Sequence, residues 1–152
     1  MKLAESLQER ADLNRKIPEL KERLAACCLV QEGERPSEDP QALLRELDAA
    51  IDRLRFLMAA INKTNSQTVV EGRTITEWIA EKDALKLRLA AYRDLAFTAG
   101  QSTARARGTE IKVVPSVDVP ALQKAADDTA RRLRLADNTI QAANWQTELM
   151  ED

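Results

Sequence analysis

One stretch of this sequence, residues 40–65, constrains the fold more than any other. Apolar side chains recur along it at alternating intervals of three and four residues, which is the spacing of a heptad seam on an α-helix. The members of this seam are Leu44, Leu47, Ile51, Leu54, Met58 and Ile61, with Asn65 as a polar last step. The stretch therefore predicts a long helix that needs a partner along one narrow edge.

Three other segments show helical periodicity, over residues 2–30, 74–99 and 118–144. Their apolar stripes are narrow and rich in Ala, so they bury enough surface only where helices associate closely. Pro18 interrupts the first stripe without changing its phase, so we expect a kink there and not an end.

The starts of the helices carry recognisable capping residues. Asp39 can cap the second helix, with Pro40 at its first position. Thr74 and Glu77 can form a capping box at the third helix, and Asp118 can cap the fourth. These signals place the boundaries of the helices independently of their periodicity.

The predicted fold class is mainly α: four long amphipathic helices in antiparallel hairpins or a bundle, in a single domain of residues 1–152. A small β element is expected from two extended stretches between helices, 67–73 and 109–117. In an up-down-up-down bundle these stretches lie at opposite ends. Either the second doubles back along the helices, which reverses the fourth helix, or it pairs with another subunit.

Composition removes several classes of function. Lys and Arg number 23 against 25 Asp and Glu, so the net charge of −2 predicts no strong field for nucleic acid or membrane. The absence of histidine removes most zinc sites and nucleophiles of the Ser–His and Cys–His types. Cys27 and Cys28 are adjacent, a strained arrangement for a disulfide, and are expected to be free thiols. We predict no metal and no cofactor.

No part of the sequence resembles a targeting or membrane segment. A signal peptide needs about 7–15 consecutive apolar residues and a membrane span needs about 20. Residues 1–10, MKLAESLQER, contain no such run. We therefore expect a cytoplasmic protein.

Amides and both tryptophans lie in segments that such a bundle brings to one end: the end of the second helix, the start of the third and the end of the fourth. The candidate site residues are Asn62, Asn65, Thr74, Glu77, Trp78, Asn144 and Trp145. They can cap helices and close the apolar core. Alternatively, they can form a polar–aromatic pocket for a small ligand or a partner.

Several phrases, among them INKTNSQT, GRTITEWIAEKDALKLRLAAYRDLA, EIKVVPSVDVPAL and IQAANWQTEL, carry a family resemblance that extends over nearly the whole chain. On these phrases the chain resembles the septicolysin-like family of uncharacterised bacterial proteins. The family name implies a cytolytic activity, and the resemblance places no active site. Pro18 and the Cys27–Cys28 pair depart from the expected pattern.

The heptad seam favours one function, that of a self-associating structural or interaction protein forming a homo-oligomer. An enzyme or small-ligand binder is the alternative, because Glu77 and Glu81 are four residues apart and share a helix face. The lack of histidine removes the di-iron version of such a site.

Two further alternatives have less support. Nucleic-acid binding would use Arg105, Arg107 and Lys112 with the basic run 131–134, which neighbouring acidic residues at 127–128 offset. Membrane lysis would follow from the family name alone.

Overall fold

The computed structural model describes residues 1–101 and 111–151. Within these residues the fold is mainly α, as predicted. Its elements in chain order are α1 (Leu3–Cys27), α2 (Pro40–Gln67), β1 (Val69–Val70), β2 (Arg73–Thr74), α3 (Ile75–Ala99) and α4 (Val119–Gln146). The largest difference from the predicted bounds is at the end of α1, which is Cys27 instead of Val30.

The chain divides into two compact units. The first contains Met1–Thr68 together with Ala143–Asp152, and the second contains Val69–Ala142. Each unit has a helix hairpin of its own. A single domain over 1–152 stays a prediction.

In the first unit α1 and α2 form an antiparallel hairpin. Arg23, near the end of α1, bonds to Glu38, just before α2, whereas Glu9, near the start of α1, bonds to Arg53 in the second half of α2. The buried apolar side chains of this unit lie between the helices and beneath the C-terminal segment; they are Leu3, Ala4, Leu20, Cys27, Leu43, Ala50, Leu57, Ala60, Ile61, Ala143 and Leu149.

The boundaries of α2 and the course of α1 follow from local chemistry. The Asp39 carboxylate accepts a hydrogen bond from the Gln41 amide at 3.0 Å, and Pro40 is the first residue of α2, as predicted. Pro18 lies inside α1 without ending the helix, and its side chain is exposed. An exposed position lets solvent satisfy the carbonyl that proline leaves without a partner.

The C-terminal segment pairs with the start of the chain. The Leu3 amide donates to the Thr147 carbonyl at 2.9 Å, and the Leu149 amide donates to the Met1 carbonyl at 2.8 Å. The Met150 amide reaches α2 and donates to Thr64 Oγ1 at 2.9 Å. The start of α1, the end of α2 and the segment after α4 therefore meet, as the predicted topology requires of them.

In the second unit Glu71 and Gly72 form the two-residue turn of a β-hairpin. Val69 pairs with Thr74 and Val70 with Arg73, and the two turn residues, Glu71 and Gly72, have φ of 50° and 79°. Positive φ at both positions is the geometry of a type I′ turn, which suits the twist of a hairpin.

The predicted small β element is present. Its two strands come from the first extended stretch and Thr74. Residues 109–110 of the second stretch lie outside the described residues, and the described part, 111–117, adds no strand to this sheet. A two-residue loop closes at low entropic cost, which favours the local pairing.

α3 and α4 form the second antiparallel hairpin. Lys82, early in α3, bonds to Asp137, late in α4, and Phe97 at the other end of α3 shares a groove with Gln123, early in α4. The buried residues of each helix lie on one stripe; they are Ile75, Leu85 and Leu89 on α3 and Ala126, Thr129, Ala136 and Ile140 on α4.

Candidate functional site

The buried side of α2 differs in phase from the predicted seam. Its buried residues are Leu43, Ala50, Leu57, Ala60, Ile61 and Thr64. Three members of the predicted seam are instead exposed: Leu44 by 40%, Ile51 by 45% and Met58 by 49%. The hairpin of the first unit therefore packs on a different stripe of α2 from the one that carries these three residues.

The physical reason is that α2 carries two apolar stripes with the same repeat. Positions 43, 47, 50, 54, 57, 61 and 64 also alternate by four and three, and they share Leu47, Leu54 and Ile61 with the predicted stripe. Periodicity alone fits both stripes. α1 and the C-terminal segment pack on the stripe that contains Ala50 and Thr64, whose small side chains let helices approach closely.

The α2 edge is the exposed set Leu44, Ile51 and Met58. These side chains are seven residues apart, so they lie on one line along the helix and about 10.5 Å from one another. Asp48 and Arg55 lie one helical turn from them on the outer flank of this line, and both are exposed. The α2 edge is therefore an apolar line with one acidic and one basic neighbour.

The opposite edge of the same hairpin is closed by three ion pairs, which again repeat every seven residues along α1. Arg53 donates to both carboxylate oxygens of Glu9, at 2.7 and 2.8 Å. The other two pairs are Lys16–Glu46 at 2.8 Å and Arg23–Glu38 at 2.5 Å. One edge of the hairpin is thus polar and satisfied within the chain, whereas the α2 edge is apolar and exposed.

These ion pairs lower the pKa of their carboxyl groups. Hydrogen bonding from Arg53 holds the pKa of Glu9 below its ordinary value of 4.5, and Lys16 does the same for Glu46. A lowered pKa means that the folded state binds fewer protons than the unfolded state. The stabilisation of the folded state by these ion pairs is therefore complete above pH 4.5, and it is lost as the pH falls through the lowered pKa.

Replacing Glu9 by Gln is expected to lower the free energy of unfolding by about 0.2–1 kcal/mol at pH 7, because both partners of this pair are about one-third exposed. The loss should shrink as the pH falls from 7 toward 3, because protonation of Glu9 would then weaken the pair in the wild type as well. Urea unfolding at the two pH values checks this. Glu22→Gln, at an exposed position of α1, is the control. A loss that persists undiminished at pH 3 would contradict the assignment.

The second unit also has an exposed apolar surface, the α3 outer face. Its members lie on the side of α3 that is opposite the buried stripe, and all are exposed: Ala80, Ala84, Leu87, Ala91 and Leu95. Leu87 is 75% exposed. Because this face is mostly Ala, it offers less apolar bulk per residue than the α2 edge.

The structure divides the seven predicted site residues between the units, with Asn62, Asn65, Asn144 and Trp145 in the first. Asn144 is buried, but the neighbouring Trp145 indole is 54% exposed and does not close the apolar core. Asn62 is exposed and Asn65 half-buried at the end of α2.

The other three residues belong to the second unit, where each has a local structural partner. Thr74 and Glu77 form the predicted capping box: the Glu77 amide donates to Thr74 Oγ1 at 3.2 Å, and the Thr74 amide donates to the Glu77 carboxylate at 2.7 Å. Trp78 Nε1 donates to the Val70 carbonyl at 2.9 Å, which ties α3 to the β-hairpin. These contacts support the structural interpretation of the three residues, and a ligand site stays a prediction.

Trp78 also lines an open groove of about 480 Å³ in the second unit. The Arg73 guanidinium lies 5.2 Å from the centre of the Trp78 ring. Deeper in the groove Arg132 donates to Glu81 at 3.1 Å. Glu77 and Glu81 therefore have separate hydrogen-bond partners.

The described residues can also be compared with the other functions considered: metal binding, thiol chemistry, nucleic-acid binding and membrane lysis. Within 1–101 and 111–151, no group of three or more Cys, Asp or Glu is arranged to hold a metal ion. Cys27 is buried and Cys28 exposed, and both are free thiols. Of the basic loop, Lys112 is exposed, and Arg105 and Arg107 lie outside the described residues. None of the described helices is long and apolar enough to cross a membrane.

A comparison with protein families decides the classification. The model of the family of unknown function DUF6847 matches residues 10–149. The chain belongs to this family. The predicted resemblance to septicolysin-like proteins was wrong, because the match to DUF6847 covers nearly the whole chain and nothing septicolysin-like is found.

A solved structure agrees with the fold of this DUF6847 chain. The crystal structure of a functionally unknown conserved protein from Corynebacterium diphtheriae is 38% identical, with a TM-score of 0.88 over 99% of both chains. No curated protein matches the chain.

Proposed function

We propose that this DUF6847 chain is a self-associating helical structural or interaction protein, and that the α2 edge is the contact surface between copies. The observation that carries the proposal is the exposure of Leu44, Ile51 and Met58 on one line. Three large apolar side chains at heptad spacing are the pattern by which helices pair.

The contrast between the two edges of the first hairpin supports this choice. The polar edge has its charges matched within the chain, by Glu9–Arg53 and the two further ion pairs, so a second copy would gain little there. The α2 edge leaves apolar surface in water, and a partner helix would remove it. Bulky Leu, Ile and Met side chains also give a helix interface more contact than the Ala-rich α3 outer face.

The size of the α2 edge sets the expected affinity. Three partly exposed side chains per copy form a patch much smaller than a standard protein interface. We therefore expect reversible association with a Kd on the order of 10–100 µM. Sedimentation velocity and light scattering across about 1–500 µM test this, with a rise of the average mass toward the dimer as the expected result.

Ile51→Lys is the decisive variant. It places an ammonium group at the centre of the proposed contact, where burial would leave the charge without a partner, so association should weaken about tenfold or more. Ile51 lies outside the buried stripe of α2, and the helical circular dichroism should be unchanged.

Leu87→Lys is the matched control, because Leu87 is an exposed apolar residue of the α3 outer face. It should leave the association unchanged. Dissociation by Leu87→Lys and not by Ile51→Lys would overturn the assignment to the α2 edge. A wild-type protein that stays monomeric at about 500 µM would overturn self-association itself.

A further inference from the structure

We infer that two copies pair through their α2 edges in an antiparallel, two-fold symmetric arrangement, with Asp48 of each copy bonded to Arg55 of the other. This inference rests on the proposed self-association and adds its geometry. The partner is a second copy of this chain, and the recognition is by apolar contact flanked by two equivalent ion pairs.

The spacing of the apolar residues along α2 supports the antiparallel arrangement. Leu44 and Met58 lie seven residues before and after Ile51. In an antiparallel pair with its two-fold axis at Ile51, the two Ile51 side chains meet each other. Leu44 then lies opposite Met58 of the partner subunit, and this contact occurs twice.

The charged flank obeys the same symmetry. Asp48 and Arg55 are also seven residues apart, and their midpoint lies half a residue, about 0.75 Å, from Ile51 along the helix axis. The arrangement that centres the apolar line on Ile51 therefore also brings Asp48 opposite Arg55 of the partner subunit. The apolar pair, Leu44 and Met58, and the charged pair, Asp48 and Arg55, therefore place the two-fold axis at nearly the same point of α2.

A parallel arrangement in register gains no such contact. Its two-fold axis runs along the helices, so the flank that carries Asp48 and Arg55 faces the other flank of the partner helix. Opposite charges that meet across the antiparallel pair therefore favour the antiparallel orientation.

Arg55 is available for such a contact. Among the described residues its ion-pair partner is Asp52, at the long distance of 3.8 Å, and both side chains are more than three-quarters exposed. A long, exposed and weakly paired guanidinium side chain can turn toward a partner with little cost in free energy.

Charge reversal tests the inference. Asp48→Arg alone and Arg55→Asp alone each turn two attractive contacts into two repulsive ones, so each should raise the Kd of association about tenfold in low salt. The double variant restores an opposite pair at both contacts and should return the Kd to near the wild-type value. In a parallel dimer neither single change would alter the Kd in this way, because Asp48 and Arg55 would not face each other across the interface.

Crosslinking reports the orientation directly. In a Cys28→Ser background, Leu44→Cys and Met58→Cys chains mixed together should be joined by a short bismaleimide, whereas neither chain alone should crosslink. Crosslinking of each chain to itself would overturn the antiparallel arrangement. So would unchanged Kd values for both single charge reversals in a protein that does associate. A wild type that stays monomeric would overturn the proposed function together with this inference.

Discussion

Replacing Leu57 by Ala is expected to lower the free energy of unfolding by about 2–5 kcal/mol, the range for removing a large aliphatic side chain from a packed core. Leu57 has 0% exposure and lies on the side of α2 that packs in the first unit. The loss combines the transfer of the removed methyl groups with a cavity that the surrounding helices only partly fill. Urea unfolding followed by circular dichroism measures it.

Met58→Ala is the matched control, since Met58 is the next residue along α2 and is 49% exposed. In a chain kept monomeric by Ile51→Lys, its replacement should change the free energy of unfolding by less than about 1 kcal/mol, because half of the Met58 surface is already in water and no closed cavity is left behind. If Met58→Ala costs as much as Leu57→Ala there, the seam predicted from the sequence is the correct one and the observed phase is wrong.

Most of the fold could be predicted from the sequence, because helix periodicity and capping are local properties. Asp39 with Pro40, and Thr74 with Glu77, fix helix starts through hydrogen bonds within one turn. The Glu-Gly turn is equally local. Such features depend on neighbours in the sequence, which a reader of the sequence can see.

The phase of α2 could not be predicted in the same way. The helix contains three pairs of adjacent apolar residues, and in each pair either member could face the core. The pairs are Leu43 and Leu44, Ala50 and Ile51, and Leu57 and Met58. The choice depends on which helix packs against α2 and on the C-terminal segment, both distant in the sequence. The exposed members of these pairs are the ones that now form the candidate interaction surface.

The partners of the predicted site residues could not be predicted either. Chemistry-bearing residues such as Asn144 and Trp78 were selected by type and by topology, without knowledge of their partners. Trp78 Nε1 already has the Val70 carbonyl as its acceptor, and Thr74 and Glu77 satisfy each other. Residue type alone cannot show that a polar side chain already has a hydrogen-bond partner within the chain.

Replacing Thr64 by Val is expected to lower the free energy of unfolding by about 1–3 kcal/mol, although the two side chains have nearly the same shape. Thr64 has 0% exposure, and its hydroxyl donates to the Ala60 carbonyl at 2.8 Å while accepting the Met150 amide at 2.9 Å. Val offers no acceptor, so the Met150 amide would lose its bond in a place that water reaches poorly. Hydrogen exchange of that amide should accelerate together with the loss of stability.

Thr129→Val is the matched control. Thr129 is also buried, but its hydroxyl donates to the Ala125 carbonyl within α4, and that carbonyl keeps its backbone bond when the hydroxyl is removed. The change should therefore be nearly neutral. Thr64→Ser supplies the converse test, since it keeps the acceptor and should leave the Met150 amide protected despite the lost methyl group. Equal exchange rates of that amide in the Val and Ser variants would contradict the role of the Thr64 hydroxyl in fastening the C-terminal segment to α2.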